Sequence, residues 1–332
     1  MKLTRTRKGG TLAVVAALAV FASSCSEGGR PDSEAGDTGG GGGAGDNSGY
    51  TIAMVTHETP GDTFWDKIKA GAQQAAKNEG ITLKYSNDPE ASKQATLINN
   101  AVDSKVDAIA TTLATPDALA GAVKGANDAG IPIVAFNSGL DQYQQVGASM
   151  YFGSDENLAG ATAGQRLADG GSKHPLCVIQ AAGSVALEAR CAGVKSKVSG
   201  TENIQVNGAD DSAVVSSLQA KLSEDKSIDS IVTLGAPIAQ DALKAMDAAG
   251  SDAKLVTFDL SVDAAQAIKD GDIEFSIDQQ PYVQGFLAVT SLYLAIKNGN
   301  DIGGGGPVLT GPSFVDSSNI DVILPFAQKN TR

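Results

Sequence analysis

His57, Glu58, Asp62, Phe64 and Trp65 crowd together just behind a short apolar run, Tyr50 to Val55. Further polar groups follow later apolar runs: Thr111 and Thr112, then Asn137 and Ser138, then Glu188 and Arg190. Gly235 and Ala236, Asp259, and Asp278 with Gln279 and Gln280 complete the series. These are amides, carboxylates, one guanidinium and aromatic rings. Carboxylates and amides pair with neighbouring hydroxyls, and a guanidinium bridges two acceptors as a planar fork. Aromatic faces cover the C–H face of a ring. Such a set suits reversible capture of a polyhydroxylated molecule. No Ser-His-Asp set, zinc spacing or phosphate loop occurs among them, so no metal and no cofactor is expected.

Side chains scattered this widely along the chain need elements that gather them. Tyr50–Val55, Ile81 to Tyr85, Val106–Leu113 and Ile131–Asn137 read as strands. Trp65 to Ala76, Ala95 to Val102 and Pro116–Asp128 lie between them with helical spacing. Asp62 or Thr63 can start the first of these helices, and Gly80 can end it. The alternation resumes at Leu176–Ala182, Ile204–Asn207, Ile228–Leu234, Leu255–Leu260 and Phe275–Ile277. Repeated strand–helix units predict an α/β protein with parallel sheets. The repeats fall into two groups that part near Tyr151–Asp155, which predicts two doubly wound lobes with a cleft between them. In such sheets ligands sit beyond the carboxyl ends of the strands, where the polar residues lie.

The chain has 332 residues, 42% of them hydrophobic, 19% charged and only 5% aromatic. That composition is globular, and its cores must be built from Ala, Val, Ile and Leu. The start differs. Lys2, Arg5, Arg7 and Lys8 precede an apolar run, Thr11 to Ala22, then Ser23, Ser24 and Cys25. This is the layout of a secretory signal over 1–24, and its last residues resemble a bacterial lipobox with Cys25 as the acylated residue, although Ala22 stands where Leu is usual. Residues 25–49, with glycines at 39–43, read as a flexible tether. Losing the four basic residues lowers a formal charge of −13 still further. An acidic surface disfavours nucleic acid. Cys177 and Cys191 are then an even pair in an exported protein and predict a disulfide.

The order and spacing of F-W-D-K-I-K-A-G-A, V-D-A-I-A-T-T-L-A-T-P-D-A-L, G-I-P-I-V-A-F-N-S-G, F-G-S-D-E-N-L-A-G, R-C-A-G-V, L-V-T-F-D and S-I-D-Q-Q-P-Y-V-Q-G carry a resemblance. From about Tyr50 to Asp321 the sequence resembles the ribose-binding-like group of periplasmic binding proteins, the monosaccharide-binding lipoproteins of ABC importers. The resemblance implies a type I periplasmic binding protein fold with lobes at 50–153 plus 281–311 and 154–280 plus 312–332. Three crossing segments would form the hinge, near Phe152–Asp155, Asp278–Pro281 and Gly311–Phe314. It implies a monomer that captures a monosaccharide or polyol and passes it to membrane permease subunits by hinge closure. Its place would be the outer face of the cytoplasmic membrane, in the cell wall or periplasmic space, held by lipid at Cys25. A sugar-sensing partner of a membrane receptor or kinase is the alternative; a secreted glycoside-acting enzyme is less favoured.

Carried over by position, Phe64 and Trp65 match the aromatic pair of the first lobe. Arg190 matches the Arg that binds ligand oxygens, Asp259 the Asp behind its strand, and Gln279 the Gln of the crossing segment. Asn137 and Ser138 replace the usual Asp-Arg pair, and Gly235 replaces the usual Asn, so ribose or galactose does not follow. His57, Asp62, Thr112 and Glu188 complete the expected ligand set. Plainer roles stand beside these. Trp65 can be core, whereas Phe64 has a different helical phase. Arg190 can be an ion-pair partner and Asp259 a helix cap. His57 can be a loop residue and Thr112 a strand-end backbone partner. Asp62 and Glu188 can serve a helix N-terminus. Cleft residues are expected to line solvent without ligand, so that Arg190→Ala and Asp259→Ala should fold.

Overall fold

The computed structural model describes residues 48–332. The expected signal segment 1–24, Cys25 and nearly all of the expected tether lie outside the described residues.

Each lobe is built on one six-stranded sheet. The first holds β1 (Thr51–Thr56), β2 (Thr82–Asn87), β3 (Ala108–Thr112), β4 (Ile133–Asn137), β5 (Tyr151–Ser154) and, from late in the chain, β11 (Val308–Gly311). Their order is β11-β5-β4-β3-β1-β2, and all pairs are parallel. The second holds β6 (Pro175–Ile179), β7 (Glu202–Gln205), β8 (Ser230–Thr233), β9 (Lys254–Phe258), β10 (Phe275–Asp278) and β12 (Ser313–Asp316). It repeats the order as β12-β10-β9-β8-β6-β7, with only β12 antiparallel. Each sheet reverses its winding at one point, between β1 and β3 and between β6 and β8, where the connections leave a crevice. The chain passes between the sheets after β5, after β10 and between β11 and β12.

The central strands are continuous apolar runs because helices cover both faces. On the first sheet, α1 (Phe64–Glu79) and α10 (Pro281–Asn298) bury Trp65, Ile68, Ala72, Ala288 and Leu292 on one side. α2 (Ala91–Asp103) and α3 (Pro116–Asp128) bury Ile98, Leu119 and Val123 on the other. On the second sheet, α5 (Glu156–Asp169) and α6 (Val185–Lys197) cover one face. α7 (Asp211–Glu224), α8 (Ala236–Ala249), α9 (Val262–Asp270) and α11 (Ile320–Ala327) cover the other. Cys177 on β6 and Cys191 on α6 form the expected disulfide, with Cα atoms 5.8 Å apart.

Two helix pairs touch backbone to backbone. A Cβ on Gly71 of α1 would run into the Tyr282 carbonyl of α10, and one on Gly285 into the Ile68 carbonyl. In the second lobe a Cβ on Gly160 of α5 would meet the Arg190 carbonyl of α6, and one on Gly193 the Asn157 carbonyl. These glycines are needed for close approach, not for an unusual φ. Gly80 is the other kind: it ends α1 at φ 65°, as its place in the sequence predicts.

Candidate ligand-binding site

Asn137 ends β4 and Asp259 follows β9, the equivalent strand of the other lobe, and both adopt left-handed backbone, φ 66° and 64°. Asn and Asp tolerate this region better than other side-chain-bearing residues. For most other side chains this backbone conformation would be strained. The two lobes meet across these ends. Asn137 Nδ2 donates to Gln279 Oε1 at 3.1 Å, and Gln279 Nε2 donates to Asp259 Oδ1 at 2.7 Å. The Val185 N–H at the start of α6 donates to the Ala114 carbonyl of the first lobe at 3.1 Å. The cleft is therefore closed, and Asn137, Arg190, Asp259 and Gln279 are all buried.

Arg190 sits on α6 with its guanidinium aimed at the end of β8. Its Nε donates to Glu156 Oε2 at 2.6 Å and its Nη1 to the Leu234 carbonyl at 3.0 Å. Asp259 Oδ2 lies 3.9 Å from the same Nη1. The ring of Phe258 lies under the guanidinium, 4.6 Å from its carbon. The expectation that Arg190 merely lines solvent needs correcting, because its ion pair with Glu156 lies inside one lobe and is buried on both sides. Burial raises the Asp259 carboxyl to about 7, against the pull of Arg190 and the Gln279 amide. Asp259 does not cap α9; Ser261 does, accepting from the Ala264 N–H.

In the first lobe, Phe64 and Trp65 stand edge to face at 5.2 Å, and the His57 ring meets Trp65 at 4.8 Å. Both Phe64 and Trp65 belong to the apolar cluster under α1, so the different helical phase of Phe64 does not keep it out of the core. His57 bonds Thr112 twice, through its N–H at 3.1 Å and its Nδ1 at 2.7 Å, and burial lowers its pKa to about 4. Thr112 is thus a strand-end partner of the β1 loop. Asp62 Oδ1 accepts from the Phe64 N–H at 3.0 Å at the start of α1, and burial raises its carboxyl. Glu188 stands apart. It is exposed and lines a separate groove with Lys195, Asn203 and Gln205. Two residues before buried Arg190 on a helix, it faces the far side, because successive positions turn by about 100°.

Several residues of the site escaped the reading of strand ends. Glu156 orients Arg190 from the first turn of α5. Gln284 donates to Gln279 Oε1 at 2.9 Å and accepts from Asn137 at 3.3 Å. Gln94 holds Thr112 from α2. Arg332 is another: it pairs with Asp278, which was expected at its strand end and accepts from the Gln280 N–H, and it also reaches Ser313 beyond the third crossing. Lys67 is 2% exposed, and among the described residues its ammonium bonds only the Thr63 carbonyl, at 3.5 Å. Burial lowers its pKa, while Asp259, Asp278 and Asp62 oppose that shift. Its position one turn after Phe64, on the same face of α1, was the available signal.

A family model described as a periplasmic binding protein domain matches residues 52–301. The chain belongs to the periplasmic binding protein family. Among relatives of this periplasmic binding protein is the xylose/arabinose-binding protein XylF of Sulfolobus acidocaldarius, 26% identical, with 83% of this chain and 73% of that one aligned. The ribose import binding protein RbsB of Escherichia coli K12 is 29% identical over 74% of this chain and 85% of its own. A solved carbohydrate transporter from Acidothermus cellulolyticus 11B, in complex with myo-inositol, is 53% identical. It superposes with a TM-score of 0.84 over 85% of this chain and 99% of that one.

Proposed function

We infer that this periplasmic binding protein captures an uncharged cyclitol or closely related sugar in its interlobe cleft and delivers it to an ABC permease by hinge closure. The reading is carried by the charge pairing of the buried ring. Arg190 is paired with Glu156, and Arg332 with Asp278. What remains is Lys67 and Asp62, opposite in sign and both on the first lobe, and Asp259, which faces Arg190 at 3.9 Å. A cleft with so little charge left over suits a neutral ligand whose hydroxyls meet amides and carboxylates. The myo-inositol held by the 53% identical structure fits that description. Arg190, Asp259, Gln279 and Asn137 are the proposed polar contacts, with Phe64, Trp65, His57, Asp62 and Thr112 around them.

The role is one of binding. Glycoside hydrolysis needs two carboxylates flanking the scissile bond. Here Glu156 and Asp278 are tied up in ion pairs, Asp259 faces Arg190 and accepts from Gln279, Asp62 is bonded to the start of α1, and Glu188 faces away. Among the described residues no helix is long and apolar enough to cross a membrane. The proposed attachment is lipid on Cys25, which Cys25→Ala should abolish, releasing the protein to the soluble fraction.

A thermal-shift screen with myo-inositol, other cyclitols, pentoses and hexoses tests the function. Ligand at 100 times its Kd adds about 2.7 kcal/mol, a clear shift. Stabilisation by myo-inositol or a close relative is expected. No shift with any of these compounds, or turnover of a glycoside, refutes the reading.

A further inference from the structure

Gln180 stands one residue beyond β6, and Gly235 stands just beyond the neighbouring β8. The Gln180 side chain runs between two glycines. A Cβ on Gly208 would come within 2.8 Å of Gln180 Cβ and 3.1 Å of its Cγ. A Cβ on Gly235 would come within 3.1 Å of Gln180 Nε2. Neither glycine is required by its backbone. Gly235 is extended, at φ −168°, and Gly208 is not among the positive-φ residues. At Gly235 the room is taken by the glutamine amide, and at Gly208 by the carbonyl, Cβ and Cγ of Gln180.

That room holds an amide without a protein partner. Gln180 Oε1 is buried and accepts no hydrogen bond among the described residues. A native structure rarely leaves a buried acceptor unpaired unless something else supplies the donor. The backbone here is well fixed, since the Gly208 N–H donates to the Gln180 carbonyl at 3.0 Å. The amide also lies beside the Leu234–Gly235 turn, whose Leu234 carbonyl holds Arg190. It thus lies next to the backbone that holds Arg190, at a strand end where position 235 offers no side chain.

We propose that Gln180 is a specificity-determining residue of the cleft whose amide reads two hydroxyls on adjacent ligand carbons. Oε1 accepts from one O–H, and Nε2 donates to the oxygen of the next. The two amide atoms lie side by side in one plane, which matches a vicinal diol and not an isolated hydroxyl. The proposal rests on the solute-binding reading above and adds to it the pattern of hydroxyls that is read.

Calorimetry with myo-inositol and its monodeoxy analogues, on the parent, Gln180→Met and Gly235→Ala proteins, tests it. Met keeps the length between the two glycines and removes the amide. Gln180→Met should bind myo-inositol about 10- to 100-fold more weakly with unchanged melting of the free protein. For the analogue that lacks a hydroxyl read by Gln180, parent and variant should bind alike. Gly235→Ala, which crowds Nε2, should weaken binding in the same direction. Undiminished affinity in Gln180→Met, or the same loss for every deoxy analogue, overturns the proposal. A parent protein that binds no cyclitol or sugar overturns the solute-binding reading, and this proposal with it.

Discussion

Removing the Arg190 guanidinium tests the site most directly, because the structure separates its two duties. Within its own lobe it neutralises Glu156, whose Oε2 lies 2.6 Å away and whose Oε1 already lacks a partner. Arg190→Met leaves that carboxylate buried beside an apolar side chain. Breaking a buried pair from one side costs about 3–5 kcal/mol. Replacing Glu156 as well, with Gln, removes the uncompensated charge and should restore most of the loss. Ligand affinity should behave differently. The guanidinium also faces Asp259 at the cleft, so both variants lack a donor that no other residue replaces. Urea unfolding should show a large loss for Arg190→Met and a recovery in the double variant. Calorimetry with myo-inositol should show weak binding in both, by about 30-fold or more. An Arg190→Met protein as stable as the parent would refute the ion-pair argument. A double variant that regains ligand affinity would refute the place of Arg190 in the cleft.

Acid should favour closure of the ligand-free protein. The Asp259 carboxyl titrates near 7 in the closed cleft and should return toward the ordinary carboxylate range when the cleft opens to water. The closed state then binds more protons between these values, so its advantage is complete below the open-state pKa and disappears as pH rises through about 7. Small-angle scattering at pH 5 and pH 8 should report a more compact protein in acid, and Asp259→Asn should remove the difference. The Cys177–Cys191 bond should appear in non-reducing mass spectrometry of exported protein. Its reduction should cost about 3 kcal/mol for a loop of this size; two free thiols in native protein would sink the assignment. Gly71→Ala should destabilise by about 1–3 kcal/mol or more, since its methyl meets the Tyr282 backbone; unchanged melting would show that α1 and α10 can part at no cost.

The sheets were legible because parallel strands covered on both faces are unbroken apolar runs between helical patterns. β5, β11 and β12 were not, since these short strands lie at the crossings and do not sit in the regular alternation of strand and helical patterns. They surfaced only as crossing segments. At the site, the rule of looking beyond strand ends reached Thr112, Asn137, Asp259 and Gln279. It could not reach Glu156 or Gln284, which act from helices on partners distant in sequence, or Lys67, which lies inside α1 and not behind a strand. The same rule admitted Glu188, where helical phase overrides nearness to a strand end. Gly235 was noticed as a missing side chain, but the amide that uses its space comes from another strand and leaves no local trace.

The bare backbone contact between α5 and α6 has a mechanical consequence. α5 starts where the chain leaves the first crossing, and Glu156 in its first turn grips Arg190. One turn further on, Gly160 abuts the Arg190 carbonyl with no side chain between them. Nothing compressible separates the pivot from the guanidinium. Rotation at the crossing is therefore delivered to Arg190 undamped, as through a short rigid lever, and a pull on Arg190 is returned to the pivot in the same way.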